Sequence, residues 1–184
     1  MQNKLKIIGG EWRSRVISFD DLPDLRPTPQ RVRETLFNWL QPYILGSHCL
    51  DLFSGSGALG FEAASRGANQ VTQVENHPKA VAKLKANAEM LHTTRLTVVQ
   101  MDVLNYLTGA AHPHDIIFLD PPFASNCAET VCRLLEEHDW LKPEGLCYIE
   151  TPATRQLAEL PNNWNILKHK TAGDVGYFLC QRAL

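Results

Sequence analysis

At 184 residues, with 44% apolar and 21% charged side chains, the chain has the size of one ordinary domain and enough apolar material for a core, which excludes a disordered polymer. A formal net charge of -2 excludes a uniformly basic protein, so a nucleic-acid partner would have to be met by a local basic patch. No apolar run reaches the roughly 18 residues of a membrane span; residues 1–10 lack the apolar stretch of a secretory signal, and five cysteines without a C-x-x-C pair point to a reduced, cytoplasmic chain with no metal.

In chain order, residues 4–8 and 15–19 are predicted to pair as two short strands around Gly9-Gly10, and an irregular Pro-rich stretch follows over 20–29. A helix comes next: Val32, Leu36, Trp39 and Leu40 recur at helical spacing, Thr28 is the expected N-cap, Pro29 suits the first helical position and Pro42 ends it. The chain divides at about residue 46. Beyond it, strands predicted at 49–53, 70–75, 96–101, 115–119 and 146–150 alternate with helices at 58–66, 77–91 and 128–138. Two last strands, 164–170 and 176–182, flank a Gly173-Asp174 turn and should be antiparallel. The pattern predicts an α/β chain: a seven-stranded, mostly parallel sheet with helices on both faces and a C-terminal antiparallel hairpin.

Asp51-Leu-Phe-Ser-Gly55-Ser-Gly57-Ala-Leu-Gly60 follows a strand and opens a helix, the setting in which G-x-G-x-x-G binds a nucleotide-bearing cofactor. The next strand ends at Glu75, twenty residues after Gly55, where a carboxylate can accept from both ribose hydroxyls of an adenosine. Asp102, at the end of the third strand, is placed to accept from an adenine amino group. The glycine motif alone fits NAD, FAD or S-adenosylmethionine. Asp51, four residues before the first glycine and placed to face a positively charged methionine end, favours the last. Phe53, Ser54, Gly55, Gly57, Asn76, Val103, Asp120 and Thr28 complete the expected cofactor-binding set.

Ile116-Ile-Phe-Leu-Asp120-Pro121-Pro122-Phe123 is the most specific signal. The lone pair of an exocyclic base amine is delocalised into the ring, so that nitrogen is a poor nucleophile. Two acceptors on its two hydrogens, Asp120 and the Pro121 carbonyl, would draw it toward tetrahedral geometry and expose the lone pair to a methyl group. Pro122 fixes the peptide and brings no N–H of its own. Phe123 offers a stacking face worth roughly 1–3 kcal/mol, to a base that is unpaired or flipped. Asp120, Pro121, Pro122 and Phe123 are therefore the expected catalytic residues.

Together, D-L-F-S-G-S-G-A-L-G, V-E-N, D-P-P-F and the block R-P-T-P-Q-R-V-R-E-T-L-F-N-W-L at 26–40 resemble the bacterial 16S ribosomal RNA guanine-N2 methyltransferases that modify guanine 966, over nearly the whole chain. The resemblance implies a class I S-adenosylmethionine-dependent methyltransferase fold over 47–184, S-adenosylmethionine as donor, a small-subunit RNA base as target, and residues 1–46 as an RNA-binding extension and helix. A monomer is expected. The N–H groups at the start of the helix after Arg26-Pro27-Thr28 are expected to hold the methionine carboxylate. Residues 1–33 carry seven basic side chains (Lys4, Lys6, Arg13, Arg15, Arg26, Arg31, Arg33) against four acids, a net of +3 suited to a phosphate backbone. Trp12 is a candidate for stacking on RNA or for packing, and His112-Pro-His114 reads as a surface turn. Among rivals, an adenine-N6 methyltransferase of DNA would need a target-recognition domain, a glutamine-amide methyltransferase would carry Asn at position 120, a nicotinamide oxidoreductase would need a substrate domain, and a noncatalytic RNA-binding module would be expected to lose Asp120 or Gly55.

Overall fold

The computed structural model describes residues 2–184 except Asp24, Asn126, Gln156 and Ala158; Met1 and Asp24, the latter one of the four acids counted above, lie outside the described residues. β1 (Gln2–Lys6) and β2 (Val16–Asp20) pair antiparallel with Leu5 opposite Ile17. Strand alternation turns Leu5, Ile17 and Phe19 into the core and leaves Lys4 and Lys6 exposed. The ladder stops short of residue 8 because the Ile8 and Gly9 N–H groups donate to the Glu62 carboxylate instead.

α1 (Gln30–Leu40) buries Val32, Arg33, Leu36, Phe37 and Leu40. Its N-cap is Pro29 and makes no side-chain cap, which corrects the expectation for Thr28; the Thr28 hydroxyl donates to Asp120 Oδ2 at 3.4 Å instead. There follow β3 (His48–Leu52), α2 (Ala58–Ser65), β4 (Gln70–Glu75), α3 (Pro78–Met90), β5 (Leu96–Gln100), α4 (Val103–Leu107), β6 (His114–Leu119), a 3-10 turn (Phe123–Ser125), α5 (Ala128–Glu137), β7 (Leu141–Pro152), β8 (Trp164–Ala172) and β9 (Val175–Arg182). The large sheet runs β5-β4-β3-β6-β7-β9-β8, parallel through β7, with β9 antiparallel to both its neighbours. The expected seven-stranded sheet and closing hairpin are present.

Two elements differ from the sequence reading. β7 begins five residues early, because a shift of register between His114 and Ile116 lets Leu141 join the ladder ahead of Pro143 and Gly145, which break the apolar pattern. α4 had no counterpart; Asp102 caps it, accepting from the N–H groups of Leu104 (2.9 Å) and Asn105 (3.1 Å).

Each face of the sheet carries its own apolar cluster. Cys49, Ile116, Phe118, Tyr148 and Tyr177 pack with α1, α2, α3 and the β1–β2 hairpin. Leu50, Leu52, Val74, Ile117, Leu119 and Ile149 pack with α4 and α5. The N-terminal segment thus shares a core with the sheet. All eight residues of α2 are buried between them, and Glu62 is its fully buried anchor.

Candidate active site at the carboxyl ends of the strands

Strand order reverses at β3 and β6: crossovers from β3 lead toward β4 and β5, while those from β6 lead toward β7. Helices on either side diverge there and leave a crevice at the carboxyl ends of the strands. Register fixes what lines it. Asp51 lies beside Gln73 and Phe118, and Phe118 beside Tyr148. Counting two residues on from Gln73, Phe118 and Tyr148 brings Glu75, Asp120 and Glu150 onto the face that carries Asp51. Four carboxyl groups therefore form one row, and the Thr28 hydroxyl, just ahead of α1, reaches Asp120 in it.

Glu75 is held by two backbone donors, Gly55 N–H to Oε2 and His77 N–H to Oε1, each at 2.8 Å. This fixes the carboxylate beside the glycine loop with further lone pairs to offer. Asp51 is buried and accepts from the Gly60 N–H at 3.0 Å. Burial pushes its carboxyl up to about 7; the Gly60 bond opposes the shift and the Glu75 charge adds to it. The Ser54 hydroxyl closes the turn by donating to the Asp51 carbonyl, 2.8 Å away.

The three glycines of the motif do different things. A Cβ on Gly57, at φ +80°, would meet Leu84 and Phe61 at 2.6–2.7 Å, and one on Gly60 would meet Gln73 at 2.5 Å and Asp51 at 2.9 Å. Those two exist for packing. Gly55, at φ +50°, has nothing nearer than the Leu25 side chain at 3.6 Å, so it is the one whose surroundings leave room for a ligand. Phe53 also has a left-handed backbone, at φ +59°. Asn76 is exposed at the end of β4, while Val103 is buried at the first position of α4.

Asp120 follows β6, partly buried. Burial drives its carboxyl well above the usual carboxylate range, helped by the neighbouring Glu150 and by Asp51. The Pro122 carbonyl is taken by the Ser125 N–H (2.9 Å) and hydroxyl (2.7 Å), which fold the 3-10 turn. The Pro121 carbonyl bonds no donor among the described residues, and Phe123 is 42% exposed. The Asp120 carboxyl, the free Pro121 carbonyl and an exposed aromatic ring thus stand together at the crevice.

Sequence reasoning missed Glu150 and Tyr148. Glu150 is buried and accepts from the Tyr148 hydroxyl at 2.8 Å. A Glu inside the apolar run 146–150 was the available signal.

The basic residues separate into two groups. Lys4, Lys6, Arg13, Arg15, Arg26 and Arg31 are exposed. Arg33 is not: at 3% exposure it donates to the carbonyls of Thr28 (3.1 Å) and Lys6 (3.2 Å) and faces Glu62 at 3.5 Å. It is corrected from an RNA-contact candidate to an internal tie. Trp12 is also buried, under Arg95 at 4.8 Å, so it packs. His114 is buried against Trp140, whereas His112 is exposed. Among the described residues no group of His, Cys, Asp and Glu is placed to hold a metal ion, and no helix is long and apolar enough to cross a membrane.

The sheet order, the terminal hairpin and the row of carboxylates at the switch point define a class I S-adenosylmethionine-dependent methyltransferase fold. The chain belongs to the family described as Conserved hypothetical protein 95, whose model matches residues 5–181. It is 44% identical over 179 residues to Ribosomal RNA small subunit methyltransferase D of Escherichia coli (strain K12), covering 97% of this chain and 90% of that one. The solved structure "Putative methyltransferase yhhF from Escherichia coli" superposes with a TM-score of 0.92 at 42% identity, covering 98% of this chain and 99% of that one. SMU.776 complexed with SAH shares the fold at 22% identity and a TM-score of 0.72, over 90% of this chain and 53% of that one.

Proposed function

We propose that the chain transfers a methyl group from S-adenosylmethionine to the exocyclic N2 amino group of a guanine, guanine 966 being the expected position, in 16S ribosomal RNA of the small subunit. The observation that carries the chemistry is Asp120 beside the open Pro121 carbonyl and the exposed Phe123, at the switch point of the sheet. The target class is supported by the small-subunit name of the 44%-identical relative and by the resemblance noted above.

The residues present fit the donor. Glu75 is fixed to accept from the ribose hydroxyls, and Gly55 leaves space beside it. Asp102 spends Oδ1 on capping α4 and keeps Oδ2 for an adenine amine. The start of α1 has no side-chain cap, so its first N–H groups suit the methionine carboxylate. Asp51 faces the cationic end. Bound S-adenosylmethionine supplies an electrophilic methyl group on a sulfonium. Phe123 supports the flipped base, and Asp120 and the Pro121 carbonyl accept from its amino hydrogens. As the N–CH3 bond forms and the S–CH3 bond breaks, Asp120 takes the proton that the nitrogen loses. The exposed basic residues Lys4, Lys6, Arg13, Arg15, Arg26 and Arg31 hold the RNA backbone.

Single-turnover methyl transfer to undermethylated small-subunit RNA or particles, with mass spectrometry of the digested RNA, tests this reading. Asp120→Ala should lower the rate by roughly 10²–10⁴-fold, the scale of a positioned acid–base group, with the loss falling mainly on turnover. A methyl group found on adenine, or an Asp120→Ala variant working at the wild-type rate, would overturn the reading.

A further inference from the structure

The acceptor expected to meet the amino group does not stand alone. Parallel pairing of Leu119 with Ile149 brings Asp120 and Glu150 to neighbouring strand ends on one face. Glu150 is 3% exposed, its Oε1 accepts from the Tyr148 hydroxyl at 2.8 Å, and Asp120 Oδ2 accepts from Thr28. The two carboxyl groups are neighbours in a desolvated site, where ionising both at once is disfavoured, so they share a proton.

The other groups facing the pair come from three strands: Asp51 from β3, Tyr148 from β7 itself, and Tyr177 from β9, directly across the ladder from Glu150. Burial raises both carboxyls. Asp120 is raised further by the charges of Glu150 and Asp51 and held back by the bond from Thr28, while the bond from Tyr148 holds Glu150 back. A proton resting on Asp120 is on the wrong carboxyl for a group that must accept from an amine.

We infer that Glu150 is a positioning residue for methyl transfer: it takes up the shared proton when the base arrives, so that Asp120 turns an ionised oxygen to the amino group. This rests on the role given to Asp120 above. The proton balance closes. Before transfer one proton is on Glu150; the methylated nitrogen then gives its proton to Asp120; the pair holds two, and one leaves to water as the product base withdraws.

The test is the pH dependence of the single-turnover rate on small-subunit particles for wild type, Glu150→Gln and Tyr148→Phe, with thermal melting and cofactor affinity as checks on folding. Glu150→Gln keeps the shape and the hydrogen bonds but leaves Asp120 without a carboxyl neighbour. The ionisation that limits the rate on the acid side should move down by at least one pH unit. Tyr148→Phe removes the donor that favours ionised Glu150, so Glu150 holds the shared proton more readily and the limb should move down as well. A purely structural role would alter melting or the plateau rate and leave the limb where it is in wild type. If Glu150→Gln does not fold, Tyr148→Phe decides: a downward shift supports the inference and an unmoved or raised limb overturns it. An active wild type with unmoved limbs in folded variants removes Glu150 alone, whereas a wild type that methylates no guanine removes the proposed function beneath it.

Discussion

Asp51 shows how burial sets a charge that only a ligand can use. Its carboxyl, pushed up to about 7 by desolvation, is protonated below that pH and ionised above it. A carboxyl whose folded value lies above its unfolded value near 4 contributes stability at low pH that is lost as pH rises through the folded value. The unliganded protein should therefore lose stability from this group between about pH 4 and about pH 7, and Asp51→Asn should melt higher than wild type above pH 7. A cationic methionine end reverses the preference. Affinity for S-adenosylmethionine should rise through about pH 7 in wild type and stay flat in Asp51→Asn. Titration calorimetry in buffers of different ionisation enthalpy would show proton release on binding near pH 6.5 in wild type only; equal proton release in both proteins would place Asp51 away from the cation.

Between β3 and α2, the glycine loop separates packing from binding. Gly57→Ala would force a left-handed residue and drive a methyl group into Leu84 and Phe61, so overpacking of about 1–3 kcal/mol adds to the backbone strain. Gly55→Ala meets only backbone strain, because its surroundings are open. Thermal melting should drop much further for Gly57→Ala than for Gly55→Ala. Cofactor affinity per folded molecule should fall more for Gly55→Ala, whose methyl group would occupy the room left beside Glu75. Equal melting losses, or unchanged affinity in Gly55→Ala, would undo the division of labour.

Across the whole molecule, the buried Glu62 ties the N-terminal segment to the catalytic sheet. It accepts from the Ile8 and Gly9 N–H groups and from Arg66 at 2.8 Å, and faces Arg33, which in turn holds the Lys6 and Thr28 carbonyls. Thr28 carries that chain of contacts to Asp120. Removing one partner from such a buried network costs about 3–5 kcal/mol, so Arg33→Ala should lower melting and lose activity through folding. Charge reversal of the exposed Arg13 and Arg15 should instead leave melting and cofactor affinity in place, weaken binding to small-subunit RNA and flatten its salt dependence. Filter binding across a salt series separates them; an unchanged slope in the double reversal would move the RNA interface elsewhere.

The sequence by itself determined the parts of this protein that rest on local rules. Strand and helix periods gave the alternating order and the terminal hairpin, and the glycine loop, Glu75 and D-P-P-F announced themselves by fixed spacing and by position at strand ends. Asp102 and the apolar residues after it already held the signature of a capped helix, which was legible but went unread. Tertiary structure alone decided what depends on register and burial. Glu150 became Asp120's neighbour through the pairing of β6 with β7 across thirty residues of chain, which no local pattern encodes. Arg33 looks in sequence like the basic residues around it, and only the fully buried Glu62 on a distant helix turned it inward. Charge and spacing are written along the chain, whereas desolvation and proton sharing exist only once separate strands have been brought together.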